Sequence, residues 1–320
     1  MSAQPAASRK PSPSAVAARG YFDLQVNGFA GVDFQQADLT AHELRRAVVG
    51  LNDHGTSRIL LTLITDSIAR LCAKLANIET ILRRHPSLAE TIVGYHLEGP
   101  YLLPEPGYCG AHQPKWMHAP RVAEFEQLWT AAGGRIRLVT LAPELPGSPA
   151  FIRYLVAKQV RVAIGHSNAN AQQIDAAIEA GLTLCTHLGN GVPLQVDRHE
   201  NIIQRLLGRD ELYAAFIPDG IHLPPNVLRN FVRAKPPARV LFTTDCMSAA
   251  GAPPGKYHLG HLQVEVGADG IVRQPGKVRH FAGSSLAMDA AAANVVAMTG
   301  WTPSQARAAC STRVAKYLGY

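Results

Sequence analysis

The chain has 320 residues, 47% of them hydrophobic and 17% charged, with a formal net charge of +7. That is enough apolar material for one large core. Lys and Arg are scattered with no run of five, which argues against a nucleic-acid tract, and no apolar stretch reaches the ~18 residues of a membrane span. Residues 1–20 are rich in Ala, Ser, Pro, Lys and Arg and lack a continuous apolar run. They read as a disordered tail rather than a secretory signal. The cysteines Cys72, Cys109, Cys185, Cys246 and Cys310 form no CxxC pair. An odd, dispersed set fits a reducing compartment, and a cytoplasmic location is expected.

From Tyr21 onward, strand-like and helix-like stretches alternate. Strands are expected at Tyr21–Val26, Arg58–Thr62, Thr91–Leu97, Ile136–Leu141, Val160–Ile164, Thr183–Thr186, Leu212–Ile217 and Val240–Thr244. Between them, Thr40–Asn52 opens on a capping box formed by Thr40 and Glu43. Ser67–Arg84 carries Ile68, Leu71, Leu75, Ile78 and Leu82 along one face. Helical patterns follow at Val122–Ala132, Pro149–Lys158, Ala171–Ala180, Asn201–Leu207 and Pro225–Ala234. Strands alternating with helices indicate a parallel sheet with right-handed crossovers. The fold class is α/β, and a closed (β/α)8 TIM barrel fits the count and length, a doubly wound open sheet being the alternative. After the eighth strand, Lys256–Ala282 alternates as a small β excursion with Gly267-Ala-Asp-Gly270 as a hairpin turn. Helices at Leu286–Thr299 and Pro303–Leu318 close the chain. The barrel unit is therefore 21–320.

Four runs end in ligand-type side chains. They are Tyr95-His-Leu-Glu-Gly-Pro100, Val162-Ala-Ile-Gly-His-Ser167, Leu184-Cys-Thr-His-Leu-Gly-Asn190 and Val240-Leu-Phe-Thr-Thr-Asp245, carrying Glu98, His166, His187 and Asp245. In a barrel, C-terminal strand ends face the active site. One carboxylate with two imidazoles suits a divalent metal with an open position, and a further carboxylate suits a general base acting on water. His166 and His187 lie 21 residues apart, one short αβ repeat, so they should be neighbours around the barrel. His96 shares a strand face with Glu98 by the period of two, one layer deeper, and an interior role is expected for it. The pattern points to metal-assisted hydrolysis.

Gln25-Val-Asn-Gly28, His96-Leu-Glu-Gly-Pro100, Gly110-Ala-His112, Gly165-His-Ser167, Thr186-His-Leu-Gly-Asn190, Asp219-Gly-Ile-His222, Thr244-Asp245 and Ala282-Gly-Ser-Ser285 occur in this order. Together they resemble the N-acetylglucosamine-6-phosphate deacetylases of the amidohydrolase superfamily, over about residues 20 to 318. The resemblance implies that Glu98, His166 and His187 ligate the metal. It implies that Asp245 takes a proton from water and gives it to the leaving amine. It also implies that His112 and His222 contact the sugar or polarise the amide carbonyl, and that Asn190 and the backbone of Gly191 contact the phosphate. Many amidohydrolases hold two metals through His-x-His on the first strand. Here the segment is Asp23-Leu-Gln25, and Gln is a poor ligand for zinc, so one metal per chain is expected: zinc, with iron, manganese and cobalt suiting the same donors.

Two departures stand out. The family reads Thr-His-x-Phe-Asn-Ala-Met and then an Arg-Glu/Asp-Pro-Gly stretch, where this chain has Gly189, Gly191, Val192 and Arg198-His-Glu-Asn201. Arg198 aligns without a gap with a phosphate-binding Arg that the family supplies across a dimer interface, so a homodimer is admitted. The family's β-sandwich, built from both chain ends, is expected to be missing or reduced to the 256–282 excursion. The expected substrate is an N-acetylated amino sugar phosphate, with no nucleic acid or membrane partner. A second reading is an amidohydrolase acting on a different, non-phosphorylated N-acyl or cyclic amide. A reading of another class is a non-catalytic barrel used as a binding module.

Overall fold

The computed structural model describes residues 20–276 and 282–320. The expected tail, apart from Gly20, and the last part of the β excursion lie outside the described residues. Eight parallel strands form one sheet in sequence order. They are β1 (Tyr21–Val26), β2 (Thr56–Ile64), β3 (Ile92–Glu98), β4 (Ile136–Leu141), β5 (Arg161–Ile164), β6 (Leu184–Cys185), β7 (Tyr213–Phe216) and β8 (Val240–Phe242). Just past the last of these, Cys246 pairs with Val26 in a parallel bridge, which joins the first strand to the end of the eighth. An open doubly wound sheet has no such contact, so the arrangement follows the barrel expectation.

Two apolar layers hold the sheet. Phe22, Leu24, Leu60, Leu138, Ala163, Leu184, Ala215 and Leu241 form one buried cluster, which the final helix joins through Val314 and Tyr317. Residues on the opposite faces of the same strands, among them Ile59, Leu61, Val139, Val162, Cys185 and Phe242, pack in a larger cluster with the surrounding helices. Strands buried on both faces read as near-continuous apolar runs, which is why they were visible in the sequence.

The helices start where their caps predict. Thr40 caps Ala41–Asp53 in a full capping box with Glu43, and Ser67 caps Ile68–Arg84. One expectation is corrected. Pro303–Leu318 is two helices, Pro303–Ala309 and Thr312–Leu318, with Ser311 in a non-helical conformation between them. The Cys310 carbonyl accepts a 2.9 Å hydrogen bond from the Phe22 N–H of β1. That carbonyl points at the barrel, and the chain turns there. A short helix at Pro86–Thr91 was not anticipated.

The excursion is a three-stranded antiparallel sheet of β9 (Gly255–Leu259), β10 (Leu262–Val266) and β11 (Val272–Arg273). The expected turn is present, Gly270 N–H donating to the Gly267 carbonyl between β10 and β11. The sheet is pinned to the barrel by Asp33, whose carboxylate accepts from the Gly260 N–H at 2.8 Å. No helix among the described residues is long and apolar enough to cross a membrane.

Candidate active site

Glu98 is the last residue of β3, while His166, His187 and Asp245 stand two or three residues past the ends of β5, β6 and β8. All four are buried. Glu98 Oε1 lies 3.2 Å from His166 Nε2 and 2.8 Å from His187 Nε2. Together they are a buried group able to hold a metal ion. Donors bound tetrahedrally at about 2.0–2.2 Å stand about 3.3–3.6 Å apart, close to this spacing. His166 Nδ1 donates to the Tyr108 carbonyl at 2.7 Å, which leaves the Nε2 lone pair facing Glu98. The donor set therefore fits a divalent cation.

Backbone strain marks the same residues. Only five non-glycine residues have positive φ among the described residues, and His166 (52°), His187 (28°) and Asp245 (49°) are three of them. Such conformations persist where surrounding structure enforces them, and they cluster at functional sites. His166 is clasped by two loops. A Cβ on Gly110 would lie 2.9 Å from its Cε1, and one on Gly191 would lie 2.9 Å from its Nδ1. Both loops can close on the imidazole only because these positions are glycine.

His112 lies against this cluster without joining it. Its Nδ1 accepts from the Thr65 N–H at 3.2 Å, so the neutral ring carries its proton on Nε2. That N–H faces Glu98 Oε2 at 3.6 Å. Burial first, and then the neighbouring His166, hold the His112 pKa down to about 4, so the ring is neutral. His96 is one layer deeper, as expected. Its nitrogens face the hydroxyls of Thr140 at 2.8 Å and Thr62 at 3.3 Å, and burial lowers its pKa to about 4.

Burial opposes ionisation of Glu98, but the neighbouring imidazoles of His112, His166 and His187 outweigh it and hold the carboxyl well below its usual range. Asp245 is pushed the other way, to about 7, by burial and then by the Glu98 charge. Two carboxylates of one site thus differ in proton affinity.

These residues line a cavity of about 560 Å³, together with Asn27, Asn190, Gly191 and His222. That volume suits a small ligand. His222 is held by Asp219, whose Oδ2 meets its Nδ1 at 2.5 Å while Oδ1 accepts from the Ile221 and His222 N–H groups. The Asn190 amide turns back to the His187 carbonyl at 3.2 Å. Gly189, where the family resemblance expects an aromatic, has φ 102°, and a Cβ there would lie 2.9 Å from Leu223 and 3.0 Å from Phe231. Phe231, from the helix Pro225–Ala234, packs behind this glycine.

Arg198 is the predicted site residue that the chain does not bring to the cavity. It sits on an exposed loop outside the lining. Three contributors had no role assigned from the sequence. Asp219 and Asn27 stand in quoted motifs, and Asn27 donates to Asp245 Oδ1 at 2.8 Å, while the Tyr108 carbonyl carries no side-chain signal.

No family model matches the chain. It is 33% identical over 299 residues to N-acetylgalactosamine-6-phosphate deacetylase of Escherichia coli O157:H7, covering 93% of this chain and 77% of that protein. It is 32% identical over 316 residues to N-acetylglucosamine-6-phosphate deacetylase of Danio rerio, covering 95% and 76%. The chain belongs to the N-acetylglucosamine-6-phosphate deacetylase family. The structures agree. The Mycobacterium smegmatis deacetylase superposes with a TM-score of 0.84 at 32% identity, over 94% of this chain and 78% of that one. A mutant of that enzyme in complex with N-acetyl-D-glucosamine-6-phosphate gives 0.83 at 33% identity, over 94% and 77%. Relatives named for glucosamine and for galactosamine are equally similar to this deacetylase-family chain, so identity alone does not choose between the two sugars.

Proposed function

We propose that the chain hydrolyses the acetamide of a 2-acetamido hexose 6-phosphate, N-acetylglucosamine 6-phosphate first among them, releasing acetate and the amino sugar phosphate. The observation that carries this reading is the convergence of Glu98, His166 and His187 beside Asp245 in one cavity, in a chain of this family. Glu98, His166 and His187 would hold one divalent cation, zinc by the chemistry of one carboxylate and two imidazoles, with iron(II), manganese and cobalt accepted by the same donors. When bound, the cation polarises the acetamide carbonyl and lowers the pKa of water.

The protein's own groups do the rest. Asp245 takes a proton from the attacking water at a carboxylate oxygen and delivers it to the nitrogen as the C–N bond breaks. His112 donates through Nε2–H, its tautomer set by Thr65. His222, oriented by Asp219, offers a second contact to the sugar. Asn190 and the Gly191 N–H form the phosphate end. Arg198 completes it from a second copy of the chain, a reading supported by its exposure and its absence from the lining of its own cavity. The five free cysteines accord with a cytoplasmic location.

A second reading, a non-phosphorylated N-acyl or cyclic amide, is favoured by the altered wall at Gly189 and by the position of Arg198 outside the lining. Acetate release from N-acetylglucosamine and N-acetylgalactosamine, each with and without 6-phosphate, tests both. The first reading expects a strong preference for the phosphorylated sugars. Hydrolysis indifferent to phosphate would establish the second.

A further inference from the structure

We propose that Asn27 acts with Asp245 as one unit: its side-chain N–H positions the carboxylate, and its side-chain oxygen accepts the N–H of the scissile amide. This rests on the deacetylation reading above. Asn27 Nδ2 donates to Asp245 Oδ1 at 2.8 Å. The ionised Asp245 carboxylate, the form that takes the proton from water, can only accept, and the Asn27 amide is turned with its nitrogen towards it. Asn27 Oδ1 is then left buried with no hydrogen-bond partner among the described residues. Such an atom costs free energy unless something satisfies it. Asn27 is 2% exposed and lines the cavity, so the partner must enter through the cavity.

The main chain holds this pair rigidly. The Asn27 N–H donates to the Cys246 carbonyl at 2.7 Å, and its carbonyl accepts from the Phe34 N–H at 3.0 Å. Gly28 permits the approach to the Asp245 loop, since a Cβ there would lie 2.9 Å from the Ser248 nitrogen. Asn27 is therefore locked to the residue that follows Asp245. The group that Asp245 protonates is the amide nitrogen, and the orphan oxygen belongs to the carboxamide already bonded to Asp245. A substrate N–H is the donor this geometry requires. It would hold the nitrogen beside its proton source as the amide becomes an amine.

The test compares the 2-acetamido sugar 6-phosphate with its 2-O-acetyl counterpart, in which oxygen replaces N–H, using metal-loaded wild type and Asn27→Ala. Loss of a charged hydrogen bond is expected to lower kcat about 10- to 100-fold on the amide, with KM changed far less. The ester, which never used the Asn27 oxygen, should lose several-fold less. Metal content should be unchanged. Asn27→Ser on the same pair replaces Asn27→Ala if that variant does not fold, with the same expectation. Equal losses on amide and ester overturn the contact to N–H, and activity within two-fold of wild type overturns the whole proposal. A wild type inactive on both substrates overturns the deacetylation reading and this proposal with it.

Discussion

Asp23 and Thr244 face each other across the seam where the first and eighth strands meet: the Thr244 hydroxyl donates to Asp23 Oδ2 at 2.5 Å. The Thr243 hydroxyl donates to Oδ1 at 2.5 Å, and the Thr244 N–H approaches both oxygens at 3.3 Å. The carboxylate anchors the run that leads to Asp245.

That anchor makes stability depend on pH. Burial raises the Asp23 pKa to about 6 despite the hydrogen bonds from Thr243 and Thr244. Folding therefore favours the protonated form. Its stabilising contribution is complete below the usual carboxylate pKa of about 4 and is lost as pH rises through about 6. A shift of this size corresponds to about 3 kcal/mol. Asn at this position cannot titrate. The melting temperature of wild type minus that of Asp23→Asn should fall between pH 4 and pH 7, whereas a constant difference would rule this out.

Gly189 should tolerate no side chain. Its φ of 102° and the 2.9 Å and 3.0 Å approaches to Leu223 and Phe231 combine backbone strain with a clash. Gly189→Ala should destabilise the fold by about 1–3 kcal/mol, read as a lower melting temperature. Phe231→Ala in the same background should recover part of it by making room. An unchanged melting temperature in the single variant would show that the loop has another conformation available.

Arg198 carries the phosphate assignment. A guanidinium holds phosphate through paired charge-assisted hydrogen bonds that Lys copies poorly. Arg198→Ala should raise KM for the 6-phosphate sugar and hardly alter kcat/KM for the unphosphorylated one. Since Arg198 is exposed and outside its own cavity lining, sedimentation of the active species should show an oligomer. An equal loss on both sugars would remove Arg198 from phosphate binding.

Much of this site was legible because its chemistry sits at the ends of apolar runs. Glu98, His166, His187 and Asp245 interrupt aliphatic stretches where a core strand tolerates no ionisable group without a reason. The single-metal expectation came from Asp23-Leu-Gln25, and the structure shows Asp23 engaged with Thr243 and Thr244 at the seam instead. The rest was hidden for physical reasons. Asn27 stood in the quoted Gln25-Val-Asn-Gly28 motif, but its pairing with Asp245, 218 residues on, leaves no local signal. The Tyr108 carbonyl is main chain. The break at Ser311 adjoins a hydrogen bond from the Phe22 N–H to the Cys310 carbonyl, a pairing nearly the whole chain apart. The positive φ values of His166, His187 and Asp245 leave no trace in residue type.

The central claim is that Glu98, His166 and His187 hold the metal while Asp245 moves the proton. The most direct test is to measure metal content and the rate of acetate release from N-acetylglucosamine 6-phosphate on the same preparations of wild type and Asp245→Asn. Asn keeps the size of Asp but cannot accept the proton, and general-base groups typically contribute about 10²–10⁴. The account predicts one equivalent of divalent metal per chain in both proteins and a rate lower by a factor of about 10² or more in the variant. Two equivalents of metal per chain, or a variant rate within a few-fold of wild type, would contradict it.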